Sequence, residues 1–438
     1  MRAVHFTPIW FLAACGSSAS DVAAGTSDVQ ADASTQLAET SPPEDATHAP
    51  VDAVDSSAPD TPEVAAIPLG PGDLTYSAPE PWADPIADYL AAGRQEVGSD
   101  LFDRAIQDLA PFDGRLFIGY GDATKNLGRI VAIEPRSFGD PEEPVASADF
   151  ATDEEQIDHY RVFDDRIAIA GVDATEDGWL GNVYARVTGG VWTKNRTVDG
   201  GVHVHDITAF SGAYWTVGSG ASPNEWKSNH IFSYLWRSWD GLAPWQIVTR
   251  APNDGGDVRW TRLLPLQDAL LLFGYQTNAQ GQVAVMHHHR FDAAGELVAL
   301  PKADPLTHVF VGDTLPLPGG GGIVRGVDVT AAPLRSVALE VLPDGSSVPM
   351  AVIAAETVED LSLSGANILA LTLAGVAHPL PVPAAGYDAR VLVGPSAGAL
   401  TERLRFTLAV RPRCVAFWKG ALYIGTEDGA VLRATGAP

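Results

Sequence analysis

GRLFIGYGD (114–122), DRIAIAGVD (165–173) and GAYWTVGSG (212–220) share one pattern: a turn residue, a short run of apolar, aromatic or β-branched side chains, and a closing glycine. DALLLFGYQ (268–276), GGIVRGVD (321–328), ANILALTLAG (366–375) and GALYIGTEDG (420–429) repeat it. With Leu116, Ile167, Tyr214, Leu270, Ile323, Ile368 and Leu422 as anchors, the copies advance by about 51 residues. A period near 50 built from strand-length pieces predicts an all-β fold, a β-propeller of seven blades.

Each unit parses into four strands. In the third, VHVHDITAF, AYWTVGSG, IFSYLWRS and WQIVTRAP are separated by turn-rich pieces and are rich in β-branched and aromatic residues. The last unit is one strand short, and a strand from within 73–102 is expected to complete it and close the ring, removing exposed edges. Long helical periodicity is missing except around PIADYLAAGR (85–94). A ring of six or eight blades and a pair of stacked β-sandwiches are the competing architectures.

The N-terminus has a different composition. Arg2 is the only cation before Arg94, and the apolar run from Ala3 to Ala14 is too short to span a bilayer, so it reads as a removable signal over 1–14. The quartet Leu12-Ala13-Ala14-Cys15 resembles the lipobox of bacterial lipoproteins. That resemblance implies a diacylated Cys15 as the mature N-terminus, and Gly16 after it implies sorting to an outer membrane. Residues 15–75 are Ala, Ser, Thr, Pro, Asp and Glu with almost no aromatics, a composition expected to stay disordered as a tether. The propeller domain is then expected over 76–438.

Charge narrows the partners. The chain carries 28 basic and 55 acidic residues, a formal −27. Of this, −10 falls in 1–75 and −17 in the remainder. An acidic domain repels phosphate backbones, so nucleic acid is not an expected partner. With Cys15 lipidated, Cys414 has no partner for a disulfide and reads as a small buried apolar residue. The expected state is a monomer in the cell envelope, held to a membrane by its lipid.

SWDGLAPW (238–245) resembles the Asp box of sialidase-type propellers, matching it at Ser238, Asp240 and Trp245. It departs at Gly241, one residue early, and at Leu242 and Pro244. The resemblance implies a structural turn between the third and fourth strands of a blade, with the carboxylate binding turn amides and the Trp packed between sheets.

Candidate sites fall in two places. The loops GYGDATKNLG (119–128) and GVDATEDGWLG (171–181) are similar, and Asp122 and Asp173 in them are oxygen ligands of the kind a hard cation takes. The same residues also satisfy tight turns. The innermost strands carry His159, His203, His205, Arg259, His308, Asp360 and Arg413 along or near the central channel. His203 and His205 are two apart, so a strand points both to one side, as paired metal ligands require. MHHHR (286–290) is expected on an outer third strand, with His287 and His289 facing one way and His288 the other. No phosphate loop, nucleophile elbow, zincin helix or paired-Cys zinc spacing occurs.

These features favour a binding module for a protein, glycan or ion, with a divalent cation as the candidate cofactor. Asp122, Asp173, His203 and His205 are its candidate binding residues. The alternative is a carbohydrate-active hydrolase or lyase on a sialidase-like propeller.

Overall fold

The computed structural model describes residues 70–97, 106–121, 131–172, 174–176, 180–221, 232–252, 257–278, 282–378 and 383–437. Cys15, Asp122 and Asp173 lie outside them. Among the described residues the strands form seven antiparallel sheets, the blades of a propeller. Their first strands are Ile106–Phe112, Tyr160–Val162, His203–Phe210, Val258–Pro265, Val309–Pro316, Glu356–Ser364 and Pro412–Trp418, called blades 1 to 7 in that order. First strands of successive blades touch one another, those of blades 2 and 3 through Arg161 and Asp206, which places them innermost. All seven anchors of the repeat fall in or at the second strands.

Burial explains why those strands stand out. A second strand is covered on both faces by neighbouring blades, so it reads as a continuous apolar run rather than an alternation. In Ala269–Thr277 the first seven side chains are buried, and Ala421–Thr426 is buried throughout. The fourth strand Thr401–Leu408, at the rim of blade 6, buries only Leu404 and Phe406. Aromatic rings pin blade to blade: Trp192 meets Phe117 edge-on at 5.8 Å, and Trp215 lies 5.5 Å from Phe291.

The ring closes as the missing strand requires. The last strand of the chain, Val431–Ala437, pairs with Thr75–Tyr76 (Thr75 opposite Ala437) and with Glu80–Ala83 (Glu80 opposite Arg433). Blade 7 is therefore completed by the N-terminal side of the domain. Trp82 secures it, lying 4.4 Å from the Phe138 ring and 4.8 Å from Tyr423. The helix Ala87–Val97 follows, where PIADYLAAGR suggested one, and Arg136 grips its Asp88 through two bonds of 2.6 and 2.7 Å.

In blade 4 the third strand breaks within MHHHR, into Val283–Met286 and His289–Asp292, both paired with Ala269–Thr277. His288 turns inward at the break. Its Nδ1 accepts from the Gly274 amide at 3.0 Å and its Nε2 lies 2.9 Å from the Val309 carbonyl. The rings of His287 and His289 meet at a tilt of 54°, with centroids 4.6 Å apart. Burial holds the pKa of His288 and of His289 down at about 4, so both sit neutral in the structure.

The turn at 238–245 joins the third and fourth strands of blade 3. Asp240 Oδ1 accepts from Ser238 Oγ at 2.9 Å and from the amides of Leu242 and Ala243 at 2.8 and 3.0 Å. Gly241 has φ +75°, and a Cβ there would come within 2.8 Å of the Tyr214 ring. Trp245 is buried in the core shared by blades 2 and 3.

Candidate functional site: the central channel

Six of the seven innermost strands carry a β-bulge at the same register. The pairing slips between Ile106 and Asp108, Val204 and Asp206, Trp260 and Arg262, Val311 and Asp313, Val358 and Asp360, and Pro412 and Cys414. A bulge sets two successive residues against one partner and breaks the strand's alternation. The residue that ends each bulge stands at one level of the ring: Asp108, Asp206, Arg262, Asp313, Asp360 and Cys414. Counting back from the pair Tyr160–Ile169 puts His159 at that level in blade 2.

Contacts between blades that are not neighbours show that this level faces the channel. Arg161, from blade 2, forms two bonds to Asp206 of blade 3 (2.8 and 3.0 Å) and reaches blade 5 at Asp313 (3.4 Å) and the Thr314 carbonyl (3.0 Å). Arg262 of blade 4 meets Asp158 of blade 2 at 2.7 Å and the Gly312 carbonyl of blade 5 at 2.9 Å. His159 lies between Asp158 (3.2 Å) and Asp206 (3.3 Å). These side chains fill the channel over blades 2 to 5.

Three of the ring aspartates also tie their blade to the next. Asp108 Oδ2 accepts from the Tyr160 amide (2.6 Å), Asp206 Oδ2 from Leu263 (2.8 Å), and Asp360 Oδ2 from Val415 (2.8 Å). The other oxygen of Asp206, Asp313 and Asp360 accepts from the amide of the following residue at 2.7–2.8 Å. The step x-Asp-(Leu/Ile/Thr) recurs as QDL (107–109), HDI (205–207), GDT (312–314) and EDL (359–361) and is the sequence mark of the ring aspartates. It marks Asp108, Asp206 and Asp313, which the reading by residue type passed over.

The belt is electrostatically uneven. Burial alone would raise the Asp206 carboxyl, but Arg161 and His159 hold it far below the usual range. Asp313 is likewise lowered: Arg161 and Arg325 outweigh its burial. His159 is pushed down by burial and by Arg161 and Arg262, yet its bonds to Asp158 and Asp206 prevail and its pKa rises. On the opposite arc, Asp108 and Asp360 bond backbone amides rather than arginines. Burial raises Asp108 to about 6, and burial with the charge of Asp108 raises Asp360 to about 7. Cys414 lies between them in ring order, and burial with both carboxylates keeps its thiol protonated. It is buried and unbridged, as its apolar reading required.

His203 and His205 lie on the innermost strand of blade 3 with their rings stacked 6.0 Å apart, on one side as expected. His203 Nδ1 is 3.0 Å from the Val172 carbonyl, and His205 Nε2 is 3.3 Å from Ser219 Oγ. Burial, then the charges of His203 and Arg259, push the His205 pKa well down. Among the described residues no three His, Cys, Asp or Glu side chains are grouped so as to hold a metal ion. In the second Asp-Ala-Thr loop, Thr175 bonds the Asp153 carbonyl through its amide (2.7 Å) and hydroxyl (3.1 Å), next to an antiparallel bridge between Ala174 and Glu154 that ties the loop to the segment leading into blade 2. Asp360 lies in the belt, and Arg413, the residue before Cys414, approaches Glu359 at 3.4 Å. His308 instead ends the short 3-10 turn Pro305–His308, capped by Asp304, and is exposed.

No family model matches the chain, and no curated protein matches it. Solved structures similar to it include virginiamycin B lyase from Staphylococcus aureus (10% identity, TM-score 0.43, 77% of this chain and 97% of that one). A second is the extracellular domain of what is described as a hybrid two-component system from B. thetaiotaomicron (11%, 0.48, 82% and 42%). A third is PorZ, a surface component of the type-IX secretion system of Porphyromonas gingivalis (13%, 0.36, 72% and 44%). These likenesses are of fold alone, and by its own sheets the chain is a seven-bladed β-propeller with four-stranded blades.

Proposed function

We propose that this protein is a lipid-anchored propeller of the cell envelope that works as a binding module for a protein, glycan or ion. One observation carries the reading: the ionisable side chains of the channel are engaged in ties between blades. Asp108, Asp206 and Asp360 bond the next blade's amides, while Arg161 and Arg262 cross to blades that are not their neighbours. Groups bonded in this way would have to break the ring's own contacts to act as acid, base or nucleophile. The face left for work carries the loops that lead into the innermost strands. A divalent cation held by Asp122, Asp173, His203 and His205 is one occupant to test there.

Two experiments test the proposal. Purified protein is incubated with oligosaccharides and envelope proteins, and the bound material is analysed by mass spectrometry. Retention of an unchanged ligand supports a binding module. Shortened or unsaturated sugar products would transfer the case to the alternative, a carbohydrate-active hydrolase or lyase. For the anchor, which the Leu12–Cys15 quartet supports, the mature chain should begin at a diacylated Cys15. An intact mass showing an unmodified Cys15 in the mature protein would end that part of the proposal.

A further inference from the structure

We infer that the outer end of blade 3 carries a binding site for a carboxylated sugar of an acidic polysaccharide, built from Arg237 and Trp239. The site lies at the hairpin between the third and fourth strands, on the face opposite the loops that enter the innermost strands. It therefore goes beyond the surface proposed above, and rests on that reading only in that the glycan is bound and not turned over. Arg237, in the third strand Phe232–Ser238, stands opposite Trp215 on one neighbouring strand and Gln246 on the other. Trp239 comes two residues later and so returns to the same side of the sheet. The guanidinium lies over both indoles, 5.6 Å from the Trp215 ring and 4.7 Å from the Trp239 ring. Trp215 rests in turn on Phe291 of blade 4, so the stack starts in the core and ends at Trp239, which is 65% exposed.

What sets Arg237 apart is the lack of a carboxylate. Seven arginines have a buried Nε with no hydrogen-bond partner, and six of them reach a carboxylate at 2.6–3.7 Å. Arg237 is the seventh, and among the described residues it has neither a hydrogen-bond nor an ion-pair partner. The carboxylate of the adjoining turn, Asp240, is engaged by Ser238 and by the amides of Leu242 and Ala243. A half-buried guanidinium with a dry, unpaired N–H carries a desolvation cost that a ligand carboxylate would offset. The two indoles hold its fork in one orientation, which suits a planar carboxylate. The neighbours select a sugar over an acidic peptide. The C–H face of a pyranose ring packs against the negative face of an indole, and the exposed Gln246 amide can both donate to and accept from hydroxyls. One ring on Trp239 then brings its own carboxylate, or that of the next sugar, to Arg237.

The test is calorimetric titration of the full-length protein with hexagalacturonate and with a hyaluronan hexasaccharide, which carries uronate on alternate sugars. The expected result is a saturable site for at least one of them. Arg237→Gln should weaken it about tenfold or more, the scale of one lost charge-assisted bond, and Trp239→Ala about tenfold through lost stacking. Methyl-esterified hexagalacturonate should lose as much as Arg237→Gln loses. Arg405→Gln, which removes a charge from the exposed fourth strand of blade 6, should leave binding unchanged. Circular dichroism confirms folding, and if Arg237→Gln does not fold, the exposed Trp239→Ala carries the test. No saturable binding of either oligomer, or equal binding by all variants, overturns the inference. So does hexaglutamate binding as tightly as the sugars, which would make the partner an acidic peptide. A protein that fails here yet retains another ligand unchanged loses only this site. Shortened oligomers would instead defeat the binding-module reading, and this site with it only if the Arg237 and Trp239 variants still bind as wild type.

Discussion

Asp206→Ala removes the most heavily used carboxylate of the belt. Its side chain is fully buried and takes two bonds from Arg161, one each from the amides of Ile207 and Leu263, and a contact from His159 at 3.3 Å. The variant leaves Arg161 buried against a single more distant carboxylate, Asp313 at 3.4 Å. Removing one partner of such a pair costs about 3–5 kcal/mol, since the remaining charge is left without compensation. At about 2.1 cal/mol/K per residue, a folded domain of roughly 360 residues loses ~1.3 °C per kcal/mol, so the midpoint should fall by about 4–7 °C. Thermal unfolding followed by circular dichroism reads this directly. Asp206→Leu combined with Arg161→Met should recover part of the loss, because an apolar pair replaces both charges. A single variant within ~0.5 kcal/mol of wild type would refute the reasoning, as would a double variant worse than the two singles added together.

Further outcomes follow from the opposite arc, from the closure and from one turn. Asp108 and Asp360 have folded pKa values raised to about 6 and about 7, so each stabilises the fold fully below the unfolded carboxyl pKa and loses that contribution as pH rises through the folded value. Asp108 between about pH 4 and 6, and Asp360 between about pH 4 and 7, should each lower stability by up to ~1.4 kcal/mol per pH unit, and Asp360→Asn should flatten that slope in denaturant titrations at successive pH values. Deleting residues 1–69 should leave the melting midpoint unchanged, whereas deleting 1–83 bares the edge of Val431–Ala437 and should lower it and induce aggregation, read by light scattering. Asp240→Ala should cost about 1–2 kcal/mol by unfolding, since the carboxylate's three bonds lie in a partly solvated turn.

The repeat was legible because of where the second strands sit. Covered on both faces, they are mostly apolar, even in blade 5 where Arg325 interrupts the run, and seven such runs at even spacing survive drift in the loops. The closing strand was legible by counting, since a blade with three strands needs a fourth and the residues ahead of blade 1 were unassigned. The belt was harder to see. Its bulges break the two-residue period at Gln107, His205 and Glu359, so a reading by alternation assigns the wrong neighbours to the channel. Its partners lie far apart in sequence: Arg161 meets Asp313 across the ring, and no local pattern joins them. His308 reads as a channel residue in the sequence because LTHVFV has the composition of one innermost strand, whereas the strand starts at Val309. The Asp304 cap turns the chain there instead and leaves that imidazole in solvent. The repeated Asp step was present in four first strands, and its regular position ahead of each hairpin was the available clue.

The most direct test of a channel occupied by the protein's own charges is a double-mutant cycle between Arg161 and Asp313, on blades 2 and 5. Arg161→Met, Asp313→Leu and the pair are compared with wild type by denaturant unfolding at neutral pH. The two residues are in contact at 3.4 Å within a buried network, so a coupling of about 1–3 kcal/mol is expected. Additive effects within ~0.3 kcal/mol would mean that the two blades do not meet across the channel, and the belt as described would be wrong.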